Sequence, residues 1–351
     1  MTMRFKLFGP SGLRVSELGL GALTFGEERG FGAPKAEARR VFDTFVEAGG
    51  NFVDTANQYN NGTSESWCGE FIAAERERFV LATKFSLNMR AGDPNAGGNH
   101  RKCIVQSVEA SLRRLGTDYI DLYWLHQWDA TAPVEEVMRS LDDLVRAGKV
   151  LYVGVSDTPA WVVSQANTLA ALRGWSPFVG LQVEYSLIER TVERELLPMA
   201  RAFGLSVTPW GVVGGGVLTG KYHTATDPKA PPDSLRAKLN AGSPRTSERA
   251  MAIAREVHAI AGEIGRTPAQ VALNWVRQQG RQVIPIVGAR TERQLRENLA
   301  CLEFTLDEAQ LARLDRVSRI ELGFPHDFLS YPRIMDQRFG GTQDRIDFRR
   351  D

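Results

Sequence analysis

The sequence is short of the residues that staple a small fold or hold a metal. Its three cysteines, Cys68, Cys103 and Cys301, stand far apart, with no Cys-x-x-Cys pair and no zinc spacing. A disulfide framework is therefore not expected, and a reducing, cytoplasmic setting is. Cys68 has nothing near it in the sequence that marks a nucleophile and reads as a small buried hydrophobe. Histidines number only 5. His100, His223 and His258 read as surface or structural residues, and no histidine or carboxylate spacing supports a metal site. No run of about 18 consecutive apolar residues occurs, so no membrane-spanning helix is expected. Residues 1–6 lack the apolar stretch of a secretory signal, and none is expected. An excess of one charge is lacking as well, with 43 Lys and Arg against 42 Asp and Glu for a net charge of +1. The basic residues are scattered, so neither nucleic acid nor an anionic membrane surface is expected as a partner.

What is present is the composition of a globular protein with a full-size core: 351 residues, 43% hydrophobic and 24% charged. Short apolar runs at 17–22, 51–56, 79–84, 119–126, 151–156, 179–185, 206–210 and 282–288 read as strands. Amphipathic segments near 36–48, 64–75, 101–115, 134–147, 159–171, 192–203, 247–264 and 291–299 read as the helices between them, with 268–278 as a further helix in the seventh connection. Thr291 with Gln294, and Ser247, supply helix-start signals. Runs such as Phe79-Val80-Leu81-Ala82-Thr83 are apolar on both faces, as strands of a covered parallel sheet are. Eight strand–helix units predict an α/β fold, a (β/α)8 TIM barrel, in one unit over 1–351 with the barrel at about 16–300. A hairpin is expected over 3–15, and a long Gly- and Pro-rich loop over 211–246 after the seventh strand. One more helix is expected over 306–320, then an irregular tail with Phe324, Pro325, His326 and Phe328.

In a barrel of this kind functional side chains sit at the C-terminal ends of the strands. Asp54 lies near the end of the second, Lys84 ends the third, His126 ends the fourth, and Tyr59 follows Asp54 by five residues in the next loop. Buried charges are costly unless paired, and an acid and a base on neighbouring strands about 5 Å apart pair naturally. A free tyrosine has a pKa of about 10 and gives up its proton reluctantly. A lysine beside it favours the phenolate and is expected to pull that value toward the working range, with Asp54 holding the lysine charged. His126 could hydrogen-bond a carbonyl oxygen as negative charge develops on it.

Asp54-Thr55-Ala56-x-x-Tyr59, followed by Gly62-x-Ser64-Glu65-x-x-x-Gly69, resembles the first signature of the aldo-keto reductase superfamily. Lys84 and His126, the latter in Asp121-Leu122-Tyr123-Trp124-Leu125-His126, match the other members of that family's tetrad in order. Leu13-Arg14-Val15-Ser16-Glu17-Leu18-Gly19-Leu20-Gly21 is similar to its N-terminal run. The resemblance covers roughly 5–320 and is strongest for the branch with bacterial and fungal aryl-alcohol dehydrogenase-like members and potassium-channel β subunits. It implies reduction of an aldehyde or ketone by hydride transfer from a nicotinamide cofactor, with Tyr59 as proton donor, Lys84 and Asp54 tuning it and His126 positioning the oxygen.

The resemblance also implies a cofactor half of the barrel. Ser156, Asp157 and Gln182 would meet the carboxamide, although Asp157 stands where asparagine is commoner and an ionised Asp cannot donate to a carbonyl. Trp210 would stack on the nicotinamide, and Gly211, Val212, Gly214, Leu218, Gly220 and Lys221 would line the pyrophosphate, with Gly21 and Gly288 close by. Arg290, Gln294 and Asn298 fall at i, i+4 and i+8 and would present one helix face, with Glu297 beside it, to the adenosine end. A permanently charged arginine suits a 2′-phosphate, which favours NADP(H). Phe25, Tyr59, His126, Gln127 and Trp128 are expected to line the substrate mouth for an apolar or aryl carbonyl or alcohol, with Trp124, Phe324 and Phe328 as further candidates. A monomer and a homo-oligomer are both compatible with the sequence. Two other readings stand beside the enzyme: a cofactor-binding regulatory or sensor subunit with slow turnover, and a phosphate-binding barrel lyase or isomerase.

Overall fold

The computed structural model describes residues 3–220 and 244–347. Its centre is a parallel sheet of eight strands, ordered β10-β3-β4-β5-β6-β7-β8-β9. These are β3 (Gly19–Gly21), β4 (Phe52–Asp54), β5 (Val80–Phe85), β6 (Ile120–Leu125), β7 (Val150–Ser156), β8 (Phe178–Glu184), β9 (Ser206–Trp210) and β10 (Ile286–Val287). A bridge between Val207 and Val283 joins the two edges, so the sheet curls into a nearly closed barrel. Helices α1 (Lys35–Glu47), α2 (Thr63–Ile72), α3 (Arg101–Leu115), α4 (Val134–Arg146), α5 (Ala160–Arg173) and α6 (Leu196–Ala202) follow the first six barrel strands. After them come α7 (Glu248–Glu263), α8 (Pro268–Arg277) and α9 (Glu292–Leu299). This is the expected (β/α)8 barrel. No helix among the described residues is long and apolar enough to cross a membrane.

Strand alternation divides the side chains into two sets. Val53, Leu81, Tyr123, Val155, Leu181 and Val207 face outward and pack with Val41, Val108, Val137 and Val163 of the helices. Phe52, Val80, Ala82, Leu122, Trp124 and Ile286 form a second apolar cluster inside the barrel. The hairpin of β1 (Phe5–Leu7) and β2 (Arg14–Ser16), paired antiparallel with Phe5 opposite Ser16, closes that end. Its Phe8 and Val15 join the inner cluster, and the Phe8 ring meets Phe52 and Trp124 edge-on at 5.7 and 6.2 Å between centroids. The inward row of β4 thus runs from Phe52 to Asp54, that of β5 from Val80 through Ala82 to Lys84, and that of β6 from Leu122 through Trp124 to His126. Each row starts apolar at the plug and ends polar at the far rim.

Several boundaries differ from expectation, for local reasons. The last strand shrinks from 282–288 to Ile286–Val287, because Pro285 has no N–H for the ladder and offers only its carbonyl, to Gly19 N at 3.0 Å. The helix expected over 192–203 splits into a turn at Thr191–Glu193 and a helix from Leu196, which puts Pro198 in the first turn, where a missing N–H costs nothing. Beyond α10 (Glu308–Ser318) the expected irregular tail instead forms two short helices, α11 (His326–Ser330) and α12 (Pro332–Phe339), the second with proline at its start. The Ser247 and Thr291 caps form as read, accepting from Ala250 N and Gln294 N.

The inner cluster leaves no room beside Trp124. A Cβ added at Gly154 would lie 2.4 Å from the indole ring. We therefore expect Gly154→Ala to cost about 1–3 kcal/mol of stability by overpacking. Gly12→Ala, with nothing within 4 Å, should leave the denaturation midpoint close to wild type. Equal midpoints for the two variants in urea would refute the tight inner packing.

Candidate active site

Alternation and chain turns bring four polar side chains together at the rim opposite the plug. The Lys84 ammonium is fully buried and donates to three acceptors: Asp54 Oδ2 at 2.5 Å, the Thr55 carbonyl at 2.7 Å and Tyr59 Oη at 3.2 Å. All three of its protons are therefore used. The second Asp54 oxygen accepts from Gln182 Nε2 at 3.1 Å. His126 stands edge-on to the Tyr59 ring, with centroids 5.9 Å apart. The four residues singled out in the sequence thus form one cluster.

The residues that follow Asp54 in the sequence hold Tyr59 in place. Asn60 and Asn61 adopt left-handed backbone at φ 47° and 54°, a conformation asparagine tolerates. The Asn60 amide donates to the carbonyls of Leu23 and Phe25 at 3.0 and 2.9 Å, tying the turn to the loop after β3. Ser64 donates to Ala22 O at 2.7 Å and pairs with the Thr55 hydroxyl. Buried Glu65 accepts from Thr83 at 2.5 Å and from Arg114 at 2.6 Å. Gly69 lets α2 approach α3, since a Cβ there would sit 2.0 Å from the Leu115 carbonyl oxygen.

The electrostatics separate the two groups that face the opening. Burial pushes the Tyr59 phenol above its ordinary value, the Lys84 ammonium pulls it back only in part, and the Asp54 carboxylate adds to the rise. The expected net fall is therefore corrected: desolvation outweighs a lysine whose charge Asp54 already neutralises. Burial alone would push Lys84 down, but Asp54 and Tyr59 outweigh it and leave the ammonium above the usual lysine value. His126 is pushed down to about 3 by burial and then by the Lys84 and Arg29 cations, so its imidazole is neutral. Burial pushes the Cys68 thiol up to about 12, which fits an inert core residue.

At the ends of β7, β8 and β9 the other candidates adjoin this cluster. Ser156 is buried with its hydroxyl unpartnered. Asp157 has left-handed backbone at φ 40°, and burial of its carboxyl, with the Glu184 carboxylate nearby, outweighs a hydrogen bond from Trp210 and raises it to about 6. Gln182 directs its amide nitrogen to Asp54 and Thr208. Trp210 is half-buried. Gly211, Gly214, Gly215, Gly216 and Gly220 all have positive φ, in and around a 3-10 turn at Gly214–Thr219. Val212 and Leu218 turn their side chains into the core. Lys221 lies outside the described residues, as does His223.

Several expectations change on the structure. Gly21 is buried in β3, where a Cβ would meet Ile286 at 2.8 Å, so strand packing explains the glycine. Gly288 and Arg290 are exposed at the end of the last strand unit. Arg290 precedes the Thr291 cap and is not on the helix, so the shared face is left to Gln294 and Asn298. Gln294 turns back to accept from Arg290 N at 3.0 Å, and the Glu297 carbonyl accepts from Gln270. Phe25 does not line a mouth: the chain turns at Ala22–Phe25 and the ring is fully buried against Phe71 at 6.0 Å. Trp124 is likewise buried in the inner cluster. Gln127 is exposed and Trp128 half-buried on the loop after β6. Phe324 and Phe328 pack against each other at a tilt in the tail, which His326 ties to Glu195 at 2.9 Å. His100 caps α3. Arg29 was not singled out in the sequence, yet its guanidinium lies 5.8 Å from the Tyr59 ring centre.

Comparison with known proteins identifies the family. A model of the Aldo/keto reductase family matches residues 17–319. The chain is 38% identical over 333 residues to norsolorinic acid reductase of Aspergillus flavus, covering 92% of this chain and 83% of that protein. It is 38% identical over 336 residues to the aldo-keto reductase ausK of Emericella nidulans, covering 92% and 84%. It is 35% identical over 338 residues to an aryl-alcohol dehydrogenase of Pestalotiopsis microspora, covering 93% and 85%. A family match from the first barrel strand to the helix beyond the barrel, with relatives of this extent, shows that the chain belongs to the aldo/keto reductase family.

Proposed function

We propose that this oxidoreductase reduces an aldehyde or ketone, aryl or otherwise apolar, to the alcohol with NADPH, and that Tyr59 donates the proton. The observation that carries the reading is the Tyr59 hydroxyl held 3.2 Å from a fully buried, charge-paired Lys84, with a neutral His126 beside it. Tyr59 is protonated at neutral pH and has a proton to give. As its O–H bond breaks toward a carbonyl oxygen, negative charge grows on Oη directly beside the Lys84 ammonium. Asp54 keeps that ammonium charged and aimed. His126 is neutral and keeps a single ring N–H, which it donates to orient the carbonyl oxygen. The aryl-alcohol dehydrogenase among the relatives supports an aryl substrate.

The residues present fit a nicotinamide cofactor. Ser156 offers a buried, unpartnered hydroxyl and Trp210 a half-exposed indole, beside a left-handed glycine turn whose Gly211, Gly216 and Gly220 are half-exposed and carry no side chain to keep a ligand off the backbone. The cofactor, when bound, supplies the hydride. Arg290 is exposed and has no ion-pair partner among the described residues, which suits a 2′-phosphate.

Tyr59→Phe should lower carbonyl reduction by about 10²–10⁴-fold while NADPH affinity stays within about twofold. A variant that kept most of its activity would remove the proton-donor role. Arg290→Ala should weaken NADPH much more than NADH in a fluorescence titration; equal losses would end the 2′-phosphate assignment. Asp157 titrates near 6 and is ionised above that value. A carboxylate favours the cationic ring of NADP⁺ over neutral NADPH. The ratio of the NADPH to the NADP⁺ dissociation constant should therefore rise as pH increases through about 6, and Asp157→Asn should flatten it. A ratio in wild type that does not change with pH would exclude Asp157 from the nicotinamide end.

A further inference from the structure

Arg29 lies half-buried in the loop between β3 and α1, where that loop meets the turn carrying Tyr59. Four hydrogen bonds fasten the two segments. Asn60 donates to Leu23 O and Phe25 O, Thr63 donates to Glu28 Oε1 at 2.5 Å, and Arg29 Nη2 donates to Gln58 O at 3.0 Å. The arginine is thereby held over the ring of the proton-donating residue, with Cζ 5.8 Å from its centroid.

The guanidinium is underused at this position. Of its five N–H donors, one is taken by the Gln58 carbonyl, and no carboxylate among the described residues lies within ion-pair distance. The adjacent Glu28 is engaged elsewhere, by the Thr63 hydroxyl and the Glu27 backbone N–H. Lys84, the other cation close to Tyr59, is neutralised by Asp54. The field of Arg29 reaches both groups that would touch a carbonyl oxygen, since it lowers the proton affinity of Tyr59 and of His126. A planar fork with free donors, partly shielded from water, is suited to a carboxylate or similar oxyanion, which it binds with two parallel hydrogen bonds.

We propose that Arg29 is a specificity-determining residue, recognising an oxyanion on the substrate, so that the preferred substrates are carbonyl compounds with a carboxylate or an equivalent acidic group about one aromatic ring away from the carbonyl. The proposal rests on the reductase reading above. It adds to that reading a charged end of the substrate opposite the reacting one.

The test compares 3- and 4-formylbenzoate with their methyl esters, which have nearly the same shape without the charge, in wild type, Arg29→Met and Arg29→Lys. Wild type should favour one of the acids over its ester in kcat/KM, and Arg29→Met should lose about 10- to 100-fold on that acid. Turnover of the ester, which reads only the field of Arg29 on Tyr59 and His126, should change far less than turnover of the acid, so the acid-to-ester ratio collapses. Arg29→Lys should recover part of the loss, and the preference should shrink as salt is raised. Benzoate binding to the enzyme–NADPH complex, followed calorimetrically against benzamide, reads the same contact without turnover. Equal turnover of acid and ester in wild type, or an Arg29→Met loss shared by both, overturns the oxyanion role while leaving the reductase reading intact. A fall in NADPH affinity in Arg29→Met also overturns it, because Arg29 would then serve the cofactor. Benzoate binding that depends on Arg29, in a protein that turns over none of the four aldehydes, supports the anion site and sinks the reductase reading.

Discussion

The ion pair between Lys84 and Asp54 is the constraint around which the barrel rim is arranged. Both side chains lie inside the barrel, 0% and 3% exposed. A charge left alone in such a place costs about 3–5 kcal/mol. The pair is tolerable only because every ammonium proton has an acceptor and each carboxylate oxygen has a donor. Those partners come from β4, β5, β8 and the turn after β4, so satisfying the pair fixes four segments of chain relative to one another. Tyr59 is one of the required acceptors. Its position is thus set by the same interaction that tunes its charge.

The apolar floor beneath is the condition for that pair. Phe8 and Val15 from the hairpin, with Phe52, Leu122 and Trp124 from the strands, fill the barrel below the polar layer. Gly154 and Gly180 make space for the indole and the Phe8 ring. A dry floor excludes water from one side of Lys84 and Asp54. Electrostatic interactions there are stronger than they would be in solvent. The hairpin lies outside the eight strand–helix units, but it closes the barrel end on which this depends.

How much could be read from the sequence depends on how local each cause is. Asp54, Lys84 and His126 were legible because a charged or polar residue ending an apolar strand is anomalous in one dimension, and alternation alone puts the three on the inner face. Tyr59 was legible through its spacing from Asp54. Phe25 was misplaced because a turn at Ala22 sets the path of the chain after β3 and sends the ring toward α2, not toward the opening. Arg290 was drawn onto a helix face by its spacing, yet Thr291 caps that helix and leaves Arg290 outside it. Arg29 gave no signal, because its place depends on its own bond to the Gln58 carbonyl and on those that Asn60 and Thr63 donate to its loop, about thirty residues along the chain.

Under the proposed chemistry, one electrostatic field divides the labour between the two groups at the opening. Lys84 and Arg29 lower the proton affinity of Tyr59 and of His126 alike. Their effects differ because the starting points differ, about 10 for a phenol and about 6.5 for an imidazole. Burial then acts in opposite directions, since each group is disfavoured in its charged form: the phenolate of Tyr59 and the imidazolium of His126. Tyr59 stays protonated with a cation waiting beside the oxygen that would become negative. His126, brought down to about 3, lacks the imidazolium proton and keeps only the ring N–H that it can donate as a hydrogen bond. Exchanging the two side chains would not preserve the function, because the cations that make phenolate formation tolerable also make imidazolium formation prohibitive.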